Sequence, residues 1–150
     1  MEGAHLKVED VYRLVADKKL QIRVAPAARE NVIAARTFLD RESDKKIIYG
    51  VNTGFGPMAS HIISRHQLKD LQYNLVRSHA SGMGDPIEER FVLSAMIVRV
   101  NTLLKGYSGV SIELVDQYVA FVNERIIPVV PEHGAVGTSG DLVQLAHIAL

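Results

Sequence analysis

The chain has 150 residues, 47% of them hydrophobic and 23% charged, which suits one ordinary domain with a real core and excludes a disordered segment. Seventeen lysines and arginines balance seventeen aspartates and glutamates, so no net field draws the chain to nucleic acid or an anionic membrane. Cysteine is absent, which removes disulfides, thiolate catalysis and cysteine-ligated zinc together.

The first residues, "MEGAHLKVEDVYRLV", carry acids early and lack an apolar signal core, so a cytoplasmic protein is expected. No apolar run approaches the roughly 18–20 residues that a spanning helix needs. Val8, Val11, Leu14 and Val15 recur on one face and predict a short helix over 8–17. "QIRV" at 21–24 is compatible with a short strand. Pro26 then opens a helix carrying Val32, Ile33, Ala35 and Phe38 on overlapping turns. In "KIIYGVNTGFGPMA" three residues of high strand propensity run into a loop punctuated by Gly50, Gly54, Gly56 and Pro57.

The helical pattern returns at Ser64, read as a serine cap, with leucines at 68, 71 and 75, and the glycines of "SGMGDP" stop it. A further helix is expected from Pro86 to Gly106, with Glu88 and Glu89 in its first turn. Its apolar residues from Phe91 to Leu104 wrap nearly the whole circumference. That predicts burial on most sides and, for Arg99, a partner carboxylate. Ser111 is a plausible cap for the helix in "SIELVDQYVAFVNERI", although Leu114 stands where a full capping box needs an acid or amide. A last helix is expected from about Gly140. With no internal repeat and no linker, the reading is one mostly α-helical unit. Both the helix at 91–104 and "DLVQLAHIAL" carry apolar surface that calls for more chain, so a piece of a longer helical protein is expected.

The nine residues "GAVGTSGDL" at 134–142 admit different chemistries. A phosphate-binding loop requires a lysine followed by serine or threonine after the glycines, and that arrangement is absent. A plain helix start fits: Thr138 or Ser139 can cap, and Asp141 lies where the helix dipole favours an acid. An autocatalytic reading fits too. In a tight turn the Gly140 nitrogen can attack the Thr138 carbonyl, because glycine permits the strained backbone and offers an unhindered nitrogen. Loss of water closes a five-membered ring, and loss of the Ser139 hydroxyl as a second water leaves an exocyclic methylene. The product, a 4-methylidene-imidazole-5-one, is an electrophile. Three residues alone do not choose between cap and ring.

The segments "YGVNTGFGPMA" (49–59), "LQYNLVRSHASGMGDP" (71–86), "NTLLKGYSGV" (101–110) and "EHGAVGTSGDLVQLAHIAL" (132–150) stand in one order along the chain. Together they resemble the aromatic amino acid ammonia-lyases, the family of histidine, phenylalanine and tyrosine ammonia-lyases and related 2,3-aminomutases. The resemblance covers nearly the whole chain and is weakest over residues 1–48. It implies a mainly α architecture, the N-terminal part of a single large helical-bundle lyase domain with minor short strands.

By this resemblance Thr138, Ser139 and Gly140 match the tripeptide that cyclises into the family's electrophilic prosthetic group, with no metal or external cofactor. Tyr49 matches the tyrosine that removes the substrate's β-proton from a mobile loop closing the site. Without the resemblance it reads equally as an aromatic residue ending a buried strand. Ser78 and His79 match the pair beside the substrate's aromatic side chain, although a lone histidine near a helix end is more often a cap or a packed residue. Gly56 and Leu142 match positions lining the same pocket. A tyrosine free in water ionises near about 10, so a tyrosinate base costs roughly 4 kcal/mol at neutral pH, and activity is expected to rise toward alkaline pH.

Two departures from the common family pattern bear on substrate. Thr138 replaces the usual alanine, supplies only backbone to the ring, and also occurs in aminomutases, which keeps that chemistry open. Gln144 replaces the proline of typical histidine lyases and, with "RSHASGMG" and "YGVNTGFGPMA", leans the reading toward tyrosine over histidine. The resemblance further implies a small aromatic amino acid as partner and a homotetramer whose sites draw on more than one subunit. An inactive truncated helical module with uncyclised Thr-Ser-Gly is the remaining alternative, and these 150 residues alone are expected to be inactive.

Overall fold

In a computed structural model the chain is described over residues 1–135 and 142–150, with Arg65 described by its backbone alone. It forms six α-helices and two short strands among these residues: α1 (Val8–Ala16), α2 (Pro26–Ser43), α3 (Leu68–His79), β1 (Met83–Pro86), α4 (Glu89–Leu103), α5 (Ile112–Asn123), β2 (Pro131–His133) and α6 (Leu142–Ala149). Mainly α is therefore the fold class. None of the described helices is long and apolar enough to cross a membrane. The chain packs as two compact units, Met1–Leu39 with Ile87–Val129, and Asp40–Pro86 with Val130–Leu150.

The first unit holds α1, the larger part of α2, α4 and α5. Asp10 fixes the start of α1 by accepting the Lys7 N–H at 3.0 Å. At its other end the Arg125 guanidinium donates to the carbonyls of Leu14, Val15 and Asp17, the acceptors a helix C-terminus leaves unpaired. Ala28 and Val32 of α2 pack with Val100, Leu103 and Leu104 at the end of α4 and with Val115 of α5, all buried. Arg29 and Asp116 join α2 to α5 through two bonds of 2.7 and 2.6 Å, but both are exposed, so the pair adds at most about 1 kcal/mol.

Three expectations are corrected in this unit. Residues 21–24 form no strand, because the Asn123 side chain takes the place of a neighbouring strand. Its Oδ1 accepts the Ile22 N–H at 2.8 Å and its Nδ2 donates to the Ile22 carbonyl at 3.0 Å. Helix α4 is not buried all round: Val92, Leu93, Met96, Ile97, Val100 and Leu103 are buried, while Phe91, Val98 and Arg99 are exposed. Arg99 keeps its hydration and needs no buried carboxylate. Pro86 belongs to β1, and α4 begins only at Glu89. The cap at Ser111 is as expected, with its Oγ accepting the Leu114 N–H at 3.3 Å. The Glu113 carboxyl is held below its ordinary range by a backbone hydrogen bond and by the Ser111 hydroxyl.

The second unit holds α3, α6 and the two strands. Helix α3 packs against α6. It begins at Leu68 behind a short 3-10 turn, and Ser64 is no cap, since its hydroxyl donates to Gln67 Oε1 at 2.8 Å instead of accepting a backbone N–H. Strands β1 and β2 pair antiparallel, with Met83 opposite His133 and Pro86 opposite Pro131 and an irregularity between. Neither strand is legible in the sequence, because Gly84, Asp85 and Pro86 in β1 and Pro131 and Glu132 in β2 are poor strand formers. Residues 46–49 form no strand either, and the segment folds as turns leading to a short 3-10 turn at Gly56–Met58.

Candidate active site

Asn52 organises the loop that carries Tyr49. Its Oδ1 accepts the Ile48 N–H at 2.7 Å, and its Nδ2 donates to the carbonyls of Ser43 and Lys46 at 2.9 and 2.8 Å. One amide thus closes the chain between the end of α2 and Tyr49. Thr53, only 1% exposed, accepts the Gly50 N–H at 3.2 Å and donates to the Gly54 carbonyl at 2.8 Å. A bridge between Thr53 and Ile62 and the bond from the Gly54 N–H to the His61 carbonyl at 3.0 Å complete the loop. Asn52 and Thr53 carry no residue-type signal for this role beyond the turn-forming character of "NTG".

The same loop aims Tyr49. The phenol is 62% exposed, its ring meets Phe55 edge-on with centroids 5.9 Å apart, and its Oη accepts the Gly56 N–H at 3.1 Å. Gly56 is required by its backbone: its φ is +54°, and nothing lies within 4 Å of where a Cβ would stand. An aromatic residue ending a buried strand would be covered and paired. Tyr49 is neither, since it projects from a turn with its hydroxyl held by one backbone donor.

Ser78 and His79 end α3. The His79 Nδ1 lies 2.8 Å from the Leu75 carbonyl, which accepts hydrogen bonds only, so Nδ1 carries the proton and Nε2 remains as an acceptor in the neutral ring. The Ser78 hydroxyl donates to the same carbonyl at 3.0 Å and lies 3.2 Å from Nδ1. Both side chains thus bond to the Leu75 carbonyl, and the far edge of the imidazole has no hydrogen-bond partner among the described residues. Leu142, the first residue of α6, is 43% exposed. Gln144, the third residue of α6, has a buried Oε1 without a hydrogen-bond partner among the described residues.

Tyr49, Gly56, Ser78, His79 and Leu142 all belong to the second compact unit. The structure joins Tyr49 to Gly56 and Ser78 to His79 by hydrogen bonds, and no hydrogen bond links one pair to the other among the described residues. Thr138, Ser139 and Gly140, with the start of the last helix expected near Gly140, lie outside the described residues. The chain on either side of them is anchored, β2 by its pairing with β1 and α6 by its packing on α3. No three histidine, aspartate or glutamate side chains gather at metal-binding distance among the described residues.

Residues 6–150 match the family model for aromatic amino acid lyases. The chain is 46% identical, over its whole length, to a probable histidine ammonia-lyase of Thermoplasma volcanium, of which it covers 30%. Among solved structures, 99% of the chain superposes on 29% of histidine ammonia-lyase from Trypanosoma cruzi, with a TM-score of 0.86 and 36% identity. A tyrosine aminomutase from Streptomyces globisporus matches with a TM-score of 0.83 and 34% identity, over 99% of this chain and 28% of that one. The chain thus spans about 30% of the length of the curated relatives it matches.

Proposed function

The chain belongs to the aromatic amino acid lyase family, and on that premise we propose that it forms the N-terminal part of a single lyase domain that eliminates ammonia from an aromatic L-amino acid. The product is an arylacrylate, 4-coumarate from tyrosine or urocanate from histidine. Tyr49 carries the proposal: an exposed phenol, on a loop closed by Asn52, whose oxygen is oriented by the Gly56 N–H. In the reaction the Tyr49 oxygen takes the β-proton. The electrons of the broken C–H bond form the double bond, and the amine leaves with the pair of the broken C–N bond.

Ammonia is a poor leaving group, and the residues at 138–140 suit the remedy. Ser139 has a hydroxyl to lose as water, Gly140 has an unhindered nitrogen to close the ring, and Thr138 contributes only its carbonyl carbon and backbone. Once formed, the 4-methylidene-imidazole-5-one supplies an electrophile that activates the substrate for loss of the amine. Ser78 and His79 stand beside the substrate's aromatic side chain, where an imidazole whose Nδ1 is bonded to the Leu75 carbonyl can offer Nε2 to a phenolic hydroxyl or an imidazole N–H. Gly56 and Leu142 line the same pocket. Tyrosine is the favoured substrate, on Gln144 and the segments around Tyr49 and His79; histidine is next, the activity named for the curated relatives. The assembly is a cytoplasmic homotetramer.

A 2,3-aminomutase is the second reading, favoured by Thr138 and by the likeness to the Streptomyces globisporus tyrosine aminomutase. The full-length protein incubated with single aromatic amino acids distinguishes them. A lyase yields arylacrylate and ammonia in equal amounts, and an aminomutase yields β-amino acid. If none of the three products forms from tyrosine, histidine or phenylalanine, the proposal fails.

A further inference from the structure

Beyond the residues that face substrate, the turn leaving α3 is held by a side chain from another element. The Ala80 N–H bonds to the Val76 carbonyl at 2.9 Å and the Ser81 N–H to the His79 carbonyl at 2.8 Å, both local contacts. The next N–H, that of Gly82, has no backbone acceptor among the described residues and donates instead to His147 Nε2 at 3.0 Å. This bond spans 65 residues and is partly buried. With Nε2 as the acceptor, the ring proton sits on Nδ1.

The packing around the bond is close. A Cβ on Gly82 would stand 3.0 Å from His147 Nε2 and 3.0 Å from the Pro131 Cβ, and a Cβ on Gly134 would stand 2.6 Å from Val143 Cγ1. Three segments therefore meet at one junction: the turn leaving His79, strand β2 and helix α6. The last two are the described segments on either side of Thr138-Ser139-Gly140 in the chain.

We propose that His147 is a positioning residue that sets where His79 stands by tying the Gly82 turn to α6. The proposal rests on the ammonia-lyase reading for its link to substrate. From one side His79 is fixed by its Nδ1 bond to Leu75 within α3. From the other, the turn is free to shift unless Gly82 is held, because a partly buried N–H that loses its acceptor is costly and drives the backbone to find another. In this role His147 acts through the Gly82 turn and not on the reacting atoms. Its loss is expected in substrate binding and selectivity, with formation of the prosthetic group left intact.

The test uses the full-length protein with His147→Leu, which removes the acceptor, His147→Asn, whose amide is too short to reach Gly82, and His147→Gln, whose amide reaches the place of Nε2. With the substrate that the parent turns over, Leu and Asn are expected to raise KM about tenfold or more while changing kcat far less. Gln is expected to return KM to near the parent value, and all variants keep the parent's intact-mass deficit. Hydrogen exchange over residues 80–86 should quicken in Leu and Asn but not in Gln. If Leu does not fold, Asn against Gln gives the same contrast. Parent-like KM and exchange in Leu or Asn, or a Gln variant as impaired as Asn, would overturn the proposal. A parent that turns over no aromatic amino acid defeats the lyase reading instead, and the exchange of residues 80–86 then still decides whether His147 holds the turn.

Discussion

The two compact units differ in what holds them together. The unit of residues 1–39 and 87–129 buries apolar side chains from α2, α4 and α5, with Met96, Ile97, Val100, Leu104 and Val115 fully covered. The unit of residues 40–86 and 130–150 buries few such side chains among its described residues, chiefly Val130, Ala146 and Ile148. It is organised by polar groups serving backbone: Asn52 for the Tyr49 loop, Thr53 within it, and His147 for the Gly82 turn. All the described site residues lie in this second unit. Apolar packing tolerates exchange of similar volumes, whereas a loop closed by one amide depends on that amide. Substitutions in the first unit should therefore read out as stability, and those in the second as activity.

The largest expected effect is at Tyr49. Tyr49→Phe in the full-length protein should lower kcat by about 100-fold or more, the usual scale for loss of a general base, while its unfolding midpoint stays near the parent's. Unchanged turnover would remove Tyr49 from the role of base. Leu104→Ala in the first unit should do the reverse. It empties a fully buried site and should cost about 2–5 kcal/mol by denaturant titration, with the surviving folded protein as active per molecule as the parent. Were that variant to lose turnover while keeping its stability, the division of labour between the units would be wrong.

Asn52→Ala should fall between these two. It deletes three hydrogen bonds around the Tyr49 loop, worth about 1 kcal/mol each, and should lower kcat/KM by roughly 10–100-fold with a smaller loss of global stability. Exchange over residues 46–56 in this variant checks whether the loop has opened. The smallest effect is at Glu42, whose carboxyl is held below its ordinary range by hydrogen bonds from Lys46 and then Arg41. A lowered folded-state value stabilises above the unfolded value and loses that contribution as pH falls through the folded one. The parent's slight thermal advantage over Glu42→Gln should therefore exist at neutral pH and vanish in acid. A constant advantage across pH would assign it to something other than ionisation.

The same contrast explains what the sequence disclosed. Helices α1, α2, α3 and α5 were legible from apolar spacing and from signals such as Pro26 and Ser111, since a helix writes its buried face into a local period. The pairing of β1 with β2 was not, because Met83-Gly84-Asp85-Pro86 is held by partners beyond any local window. Strand propensity misled at "QIRV", where the Asn123 amide supplies the missing partner, and at "KIIY", where Asn52 gathers the chain into turns. The exposed faces of α4 were misjudged because apolar residues alone do not tell which side is covered. Of the site, Tyr49, Gly56, Ser78, His79 and Leu142 came from motif resemblance; Asn52 and His147 act through contacts that only folding creates.

The central claim is a family electrophile built from residues 138–140 and served by Tyr49. Its most direct test is the intact mass of the full-length protein beside its Ser139→Ala variant, each assayed with the substrate that the parent turns over. The account predicts a parent lighter than its sequence by the two waters lost in forming the prosthetic group, and a folded variant without that deficit and nearly without turnover. Equal masses relative to sequence, or a Ser139→Ala protein as active as the parent, would contradict it.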